Sequence, residues 1–246
     1  MSGHLTDHWE QNYLLPPMAQ DRWWNFRARG RLADELGNTL EYESLQRPPL
    51  NIVVAGHSFI RRLNDFACEK YGFFHNFKME HYVANVQCIG ISGLTVEKLV
   101  NSHLHKIMES SPHIVYLEIG TNDLCSPDKS PKQVGDSIIE LCGMLSNLGV
   151  KKIIVGEVTF REPRGIPAKT PDFNYKVLRL NRYLQVRLDD EANPQYFFWR
   201  HKYLWRSALQ VYADGVHYNK HGNIRLFRSI RGALLKFMWQ LRSTGQ

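Results

Sequence analysis

Two rhythms of apolar and polar positions run along the chain from residue 50 onward. Ile52, Val53, Val54 and Ala55 form a short unbroken apolar run that stops at Gly56-His57-Ser58. Such a run is the signature of a strand buried on both faces that ends in a tight polar turn. Similar runs predict further strands over residues 82–89, 113–119, 152–158 and 196–199, with the first at 51–55. Between them the period changes. After Thr95, a candidate cap, Val96, Leu99, Val100, Leu104 and Ile107 recur at helical spacing up to about residue 108. Ser130-Pro131 reads as an N-cap followed by proline at the first helical position, and Gly149 closes that helix. Helices are also expected over 60–71, 172–190 and 219–242. Strand and helix in alternation imply a parallel sheet covered by helices on both faces.

Residues 1–49 read differently. Pro16-Pro17 interrupts one segment, residues 18–36 could form a helix, and Arg47-Pro48-Pro49 forms a stiff connector. The division expected is an N-terminal extension, partly helical or disordered, over 1–49, and one α/β domain over 50–246.

Composition narrows the class. A chain of 246 residues suffices for one large core. No run of about eighteen apolar residues is present, so no membrane span is expected. The first residues lack a basic stretch followed by an apolar one, which leads to the expectation of a cytoplasmic, intracellular protein without a signal peptide. Cys68, Cys88, Cys125 and Cys142 are widely spaced and form neither a Cys-x-x-Cys pair nor a zinc-finger pattern, so they read as free thiols. The formal charge of +7 permits contact with nucleic acid or another polyanion without requiring it. The final helix carries Lys220, Arg225, Arg228, Arg231, Lys236 and Arg242 and no acid, which reads first as the solvated face of a docked amphipathic helix.

The chemistry gathers in four loops that this fold would bring to one edge of the sheet: Gly56-His57-Ser58, Gly90-Ile91-Ser92-Gly93, Gly120-Thr121-Asn122-Asp123 and Asp214-Gly215-Val216-His217. Together they supply what acyl transfer needs. A serine hydroxyl is a weak nucleophile at neutral pH and requires a base. His217 is that base, and Asp214, three residues earlier, is the carboxylate that orients it. Oxyanion donors come from the Ser58 N–H, the Gly93 N–H and the Asn122 amide. Gly120 reads as a backbone requirement and Asp123 as a loop-bonding carboxylate. Glu118 and Glu157, near the ends of adjacent strands, are expected to be paired with arginines such as Arg161 or Arg164. Cys125 is taken as packing. Trp199 and Trp205, in an aromatic and basic stretch, are candidate pocket residues together with His57. The remaining histidines, His103 and His105 among them, form no metal site.

Taken in order, these blocks resemble the SGNH/GDSL hydrolase family, whose motif residues fall on Ser58, Gly93, Asn122 and Asp214/His217. The context agrees: Ile-Ser-Gly-Leu-Thr, Ile-Gly-Thr-Asn-Asp and Asp-Gly-Val-His-Tyr-Asn-Lys-His-Gly. The resemblance covers residues 50–240. It implies a flavodoxin-like three-layer α/β/α sandwich with a mainly parallel five-stranded sheet. It also implies a metal-free Ser-His-Asp mechanism on ester or thioester substrates; no cofactor is expected, and the expected reaction is hydrolysis of a carboxylic ester, short-acyl esters among them. One departure stands out. The family's first block usually reads Gly-Asp-Ser, whereas this chain has Gly-His-Ser, which sets a titratable ring beside the nucleophile. The alternative reading is a non-catalytic or weakly active module of the kind found in retroelement proteins, touching nucleic acid through its basic surface.

Overall fold

The computed structural model describes residues 47–69, 76–189, 194–202, 204 and 214–243. The chain divides into two units, Met1–Pro48 and Pro49–Gln246, and every element below belongs to the second. The expected extension therefore lies almost wholly outside the described residues, as does Trp205.

Five strands, β1 (Leu50–Gly56), β2 (Ala84–Gly90), β3 (Ile114–Glu118), β4 (Lys152–Gly156) and β5 (Tyr196–Trp199), form one sheet in the order β2-β1-β3-β4-β5. All pairings are parallel, with Gly56 opposite Gly90 on one side and Glu118 on the other. Helices α1 (Ser58–Glu69) and α6 (Lys220–Ser243) cover one face, where Ile52, Val54, Ile114, Tyr116 and Ile154 point. Helices α2 (Val96–Ser102), α3 (Leu104–Met108), α4 (Pro131–Asn147) and α5 (Phe173–Leu188) belong to the other face, with Val53, Ala55, Val115, Leu117, Ile153 and Val155. Successive strand residues thus serve opposite cores, as the two-residue period of a strand dictates. The architecture is the expected flavodoxin-like sandwich. Its strand order reverses between β1 and β3, and in such sheets ligands sit above the carboxyl ends of the strands at that reversal.

Several element ends differ from the sequence expectation, each for a visible reason. Helix α1 begins at Ser58, because the His57 carbonyl already accepts from Ile60 and Arg61 N–H at 3.1 and 3.3 Å. Strand β4 stops at Gly156, opposite the last residue of β5. Beyond it the backbone of Val158 is taken by the Asn181 side chain, which accepts from its N–H at 3.0 Å and donates to its carbonyl at 2.7 Å. The single helix expected over 95–108 is broken at His103, whose φ of −135° leaves the helical region. The apolar rhythm continues across the break, since Leu99 and Ile107 are both buried. The Ser130 cap is as read: its hydroxyl accepts from Gln133 N–H, and the Gln133 side chain accepts from Ser130 N–H.

Candidate active site

Ser58 is the first residue of α1, set directly beyond β1. The first N–H groups of a helix have no intrahelical acceptor, and the helix dipole places partial positive charge there. The helix is held close to the sheet at Gly90, where a Cβ would lie 2.1 Å from the Arg61 backbone nitrogen. Ser58 Oγ stands 3.0 Å from His217 Nε2. His217 Nδ1 stands 2.7 Å from Asp214 Oδ2. An ionised carboxylate only accepts, so Nδ1 carries the proton and Nε2 is left to accept from the serine hydroxyl.

The Asp214–His217 turn is built for this. Asp214 Oδ1 accepts from the backbone N–H groups of Val216 and His217, both at 2.9 Å, in an Asx-type turn. Gly215 sits at φ +70°, and a Cβ there would come within 2.7 Å of Arg164 Cγ and 2.8 Å of Gly165 N. The loop after β4 props the turn from below: Glu162 N–H donates to the Gly215 carbonyl at 2.9 Å. Burial raises the Asp214 carboxyl, but the bonds from Val216, His217 N–H and the His217 ring outweigh it and bring the pKa down to about 2. The carboxylate is therefore ionised wherever the protein is folded at ordinary pH.

The Gly93 loop is tied to the same place, since Ile91 N–H donates to the Gly56 carbonyl at 2.9 Å. Gly93 is exposed, has φ +68° and has open space where a Cβ would project. Asn122, after β3, donates one amide hydrogen to the Leu94 carbonyl at 2.9 Å, which joins the glycine block to the asparagine block. An amide nitrogen carries two hydrogens, so one remains. Asp123 reaches further than expected: it accepts from Val96 N–H at the start of α2, at 3.2 and 3.3 Å, and faces Lys129 at 3.6 Å. Cys125 donates to the Thr121 carbonyl at 3.3 Å, and burial raises its thiol pKa.

His57 is buried, with 2% of its surface exposed. Its N–H donates to the Glu118 carbonyl at 3.2 Å, and its Nδ1 accepts from Phe59 N–H at 3.4 Å. The ring meets Phe59 edge-on at 4.5 Å. Desolvation lowers its pKa to about 4; Glu118 pulls upward, while Arg161 and His217 push further down. The imidazole beside Ser58 is thus neutral at ordinary pH.

A group that sequence reasoning missed lies behind the site. The Glu118 carboxylate accepts from Tyr116 Oη at 3.1 Å and meets His201 Nε2 at 3.1 Å. His201 Nδ1 meets Ser229 Oγ at 2.9 Å, and Trp199 Nε1 donates to that same oxygen at 3.1 Å. Glu157 accepts from His201 N–H at 3.0 Å, and burial raises its carboxyl pKa. The expectation of arginine partners for Glu118 and Glu157 is corrected: tyrosine and histidine supply the donors, because β5 delivers His201 to the space between them. Trp199 packs edge-on against Phe237 of α6, with ring centroids 6.5 Å apart. His201 had one faint signal, its place just past a strand end. On α6, Arg231 and Arg242 donate to the carbonyls of Phe77 and Val83, both at 2.9 Å, so part of the basic helix serves the fold.

The parallel sheet sets a serine at the strand-order reversal, with a hydrogen-bonded histidine and aspartate beside it, and the family match makes the chain an ester-hydrolysing α/β enzyme. The chain belongs to the GDSL-like lipase/acylhydrolase family, whose model matches residues 5–230. The fold is similar to that of a Bacteroides fragilis protein taken to be an acylhydrolase, at 15% identity and a TM-score of 0.60, over 80% of this chain and 94% of that one. It is also similar to a GDSL-like lipase from Bacteroides thetaiotaomicron, at 16% identity and a TM-score of 0.57, over 81% and 97%. An acetyl esterase serine-to-alanine mutant with an acetate ion matches at 14% identity and a TM-score of 0.56, over 78% and 99%. No curated protein matches the sequence. Among the described residues, no helix is long and apolar enough to cross a membrane.

Proposed function

We propose that the protein is a serine esterase in which Ser58 is the nucleophile, His217 the general base and Asp214 its orienting carboxylate. The observation that carries this reading is the continuous chain from Ser58 Oγ through His217 Nε2, at 3.0 Å, to Asp214, at 2.7 Å. Ser58 Oγ attacks the ester carbonyl as its proton passes to Nε2. The oxyanion is met by the Ser58 N–H, the Gly93 N–H and the second hydrogen of the Asn122 amide, donors of the kind that a developing oxyanion requires. Collapse of the tetrahedral intermediate breaks the C–O bond, and Nε2 returns its proton to the leaving alkoxide. Water then attacks the acyl-serine, with Nε2 again taking the proton, and releases the acid. No step draws on His57, which is neutral and turned toward Phe59.

The acetyl esterase among the similar folds makes short-acyl esters the first panel to assay. A fluorophosphonate probe should label the wild type, and Ser58→Ala should abolish labelling and reduce kcat/KM on 4-nitrophenyl acetate by roughly 10⁴-fold. Labelling that survives Ser58→Ala would remove the serine from the mechanism.

A further inference from the structure

One cation at the site has no charge partner among the described residues. Arg161 lies on the loop after β4 and is partly buried. Its Nη1 donates to the Gly165 carbonyl at 3.3 Å and its Nη2 to Thr121 Oγ1 at 3.5 Å, both at the long end for a hydrogen bond. It also reaches the Cys125 sulfur, whose thiol burial keeps protonated and uncharged. Its Nε–H is buried and meets no acceptor. Among the described residues it takes part in no ion pair. Other cations nearby have more partners: the Lys176 ammonium meets three carbonyls, of Ser126, Pro127 and Lys129, at equally long distances of 3.3–3.4 Å, one for each of its hydrogens, and Lys129 faces the Asp123 carboxylate at 3.6 Å. A guanidinium remains charged at any pH of interest, so it cannot escape partial burial by losing its proton.

Its position is as telling as its lack of a partner. Thr121, which it touches, precedes Asn122. Gly165, which it also touches, packs against Gly215 so closely that a Cβ on Gly165 would lie 2.6 Å from the Gly215 carbonyl oxygen. Its charge is felt at His57, the neighbour of Ser58. Arg161 therefore stands among residues adjoining the serine, asparagine and aspartate–histidine blocks assigned to catalysis. It is also held still. Asn174 accepts from its N–H at 2.9 Å and donates to its carbonyl at 2.8 Å, and the guanidinium lies over the Phe173 ring at 4.5 Å from the centroid. The Asn174 bonds fix the backbone and the Phe173 ring restrains the guanidinium, which lowers the ordering cost when a ligand binds.

We propose that Arg161 forms an anion-binding subsite, and that the esters this enzyme prefers carry a carboxylate or phosphate group close to the scissile bond. The inference rests on the Ser58 reading for its catalytic part. Five N–H groups in a planar fork suit a carboxylate or phosphate oxygen pair, and the two weak bonds to Gly165 and Thr121 leave donors for it. A negative group seated there would supply the charge that the fold withholds.

The test uses the full chain, Arg161→Gln and Arg161→Lys. Two substrate pairs separate the sides of the ester: 4-nitrophenyl hemisuccinate against 4-nitrophenyl butyrate for the acyl side, and 4-acetoxybenzoate against phenyl acetate for the alcohol side. On at least one side, the anionic-to-neutral ratio of kcat/KM should fall about tenfold or more in Arg161→Gln, with Arg161→Lys retaining part of it. A second measurement does not depend on turnover. Succinate and inorganic phosphate should each raise the melting temperature of Ser58→Ala, and the rise should vanish in the Ser58→Ala/Arg161→Gln double variant. Ratios unchanged on both sides would overturn the proposal. So would anionic and neutral rates falling together with the melting temperature, since that marks a residue that only clips loops. Activity retained by Ser58→Ala would instead strike the nucleophile assignment. The anion-induced melting shift would then decide by itself: its loss with Arg161→Gln supports the subsite, and its persistence overturns it.

Discussion

His57 shows how a single substitution within a motif is absorbed. The family's first block usually places aspartate there, and an imidazole invites the thought of a cation beside Ser58. Burial prevents it, holding the pKa at about 4 against an ordinary value of 6.5. Burying a neutral ring also makes stability depend on pH. On unfolding the ring regains water and an ordinary affinity for protons, so between pH 6.5 and 4 the unfolded chain binds a proton that the folded chain does not. Stability due to this depressed basic group is complete above pH 6.5 and is lost progressively as pH falls toward 4, by about 3 kcal/mol over the full range. In urea unfolding at pH 7 and pH 4.5, His57→Gln should lose less stability on acidification than the wild type, by about 2–3 kcal/mol. The same acid-induced loss in both proteins would show that His57 is not the group responsible. Asp214 illustrates the opposite balance: its carboxyl is exposed enough to be wet, yet three hydrogen bonds hold its pKa at about 2.

At the scale of elements, the strands and helices were legible because their apolar residues follow periods of 2 and 3.6, and those periods are local. Their ends were less so. The apolar pattern carries β4 on to Val158, because Val158 is apolar and buried like its predecessors. What stops the strand is Asn181, twenty-three residues later, binding its backbone. The seating of α1 on β2 is another contact between elements that no local pattern shows. Gly90 allows it, since any Cβ would meet backbone atoms of Arg61 at 2.1 and 2.4 Å, which cannot rotate out of the way as a side-chain tip can. Gly90→Ala should push α1 off the sheet and move Ser58 with it. The expected result is a loss of about 2 kcal/mol in stability together with a fall in kcat/KM on 4-nitrophenyl acetate. A variant with wild-type melting temperature and activity would show that the contact tolerates a methyl group. Gly93 provides the contrast, with open space where a Cβ would project.

For the molecule as a whole, the buried cluster of Tyr116, Glu118, His201 and Ser229 joins β3, the segment after β5 and α6 at one point. Glu118 is 2% exposed and His201 fully buried, so neither exchanges its partner for water. Glu118→Ala would remove the shared carboxylate and leave the Tyr116 hydroxyl and His201 Nε2 only each other, at 3.2 Å, so that one donor lacks an acceptor; it should cost about 1–3 kcal/mol, read by urea unfolding at pH 7. A cost below about 0.5 kcal/mol, the range of surface substitutions, would mean that the cluster is replaceable. Because the Glu118 carbonyl also receives His57 N–H, disorder at this point should reach the turn that carries Ser58 and lower activity as well.

The sequence by itself determined the strand and helix rhythm and the order of the four polar loops, and it pointed to Ser58, Gly93, Asn122, Asp214 and His217 as candidates, of which hydrogen bonds join Ser58, His217 and Asp214. Each of these is written in residue type and short-range spacing, and parallel strand–helix alternation sends every strand-end loop to the same edge. Tertiary structure alone decided the rest: that His57 is neutral, that Glu118 and Glu157 bond to Tyr116 and His201 rather than to arginine, and that Arg161 stands between the site loops with no carboxylate beside it among the described residues. Those outcomes depend on burial and on partners tens of residues away in the chain. Desolvation and hydrogen-bond partnership belong to the packed molecule, and no period or motif along the chain encodes them.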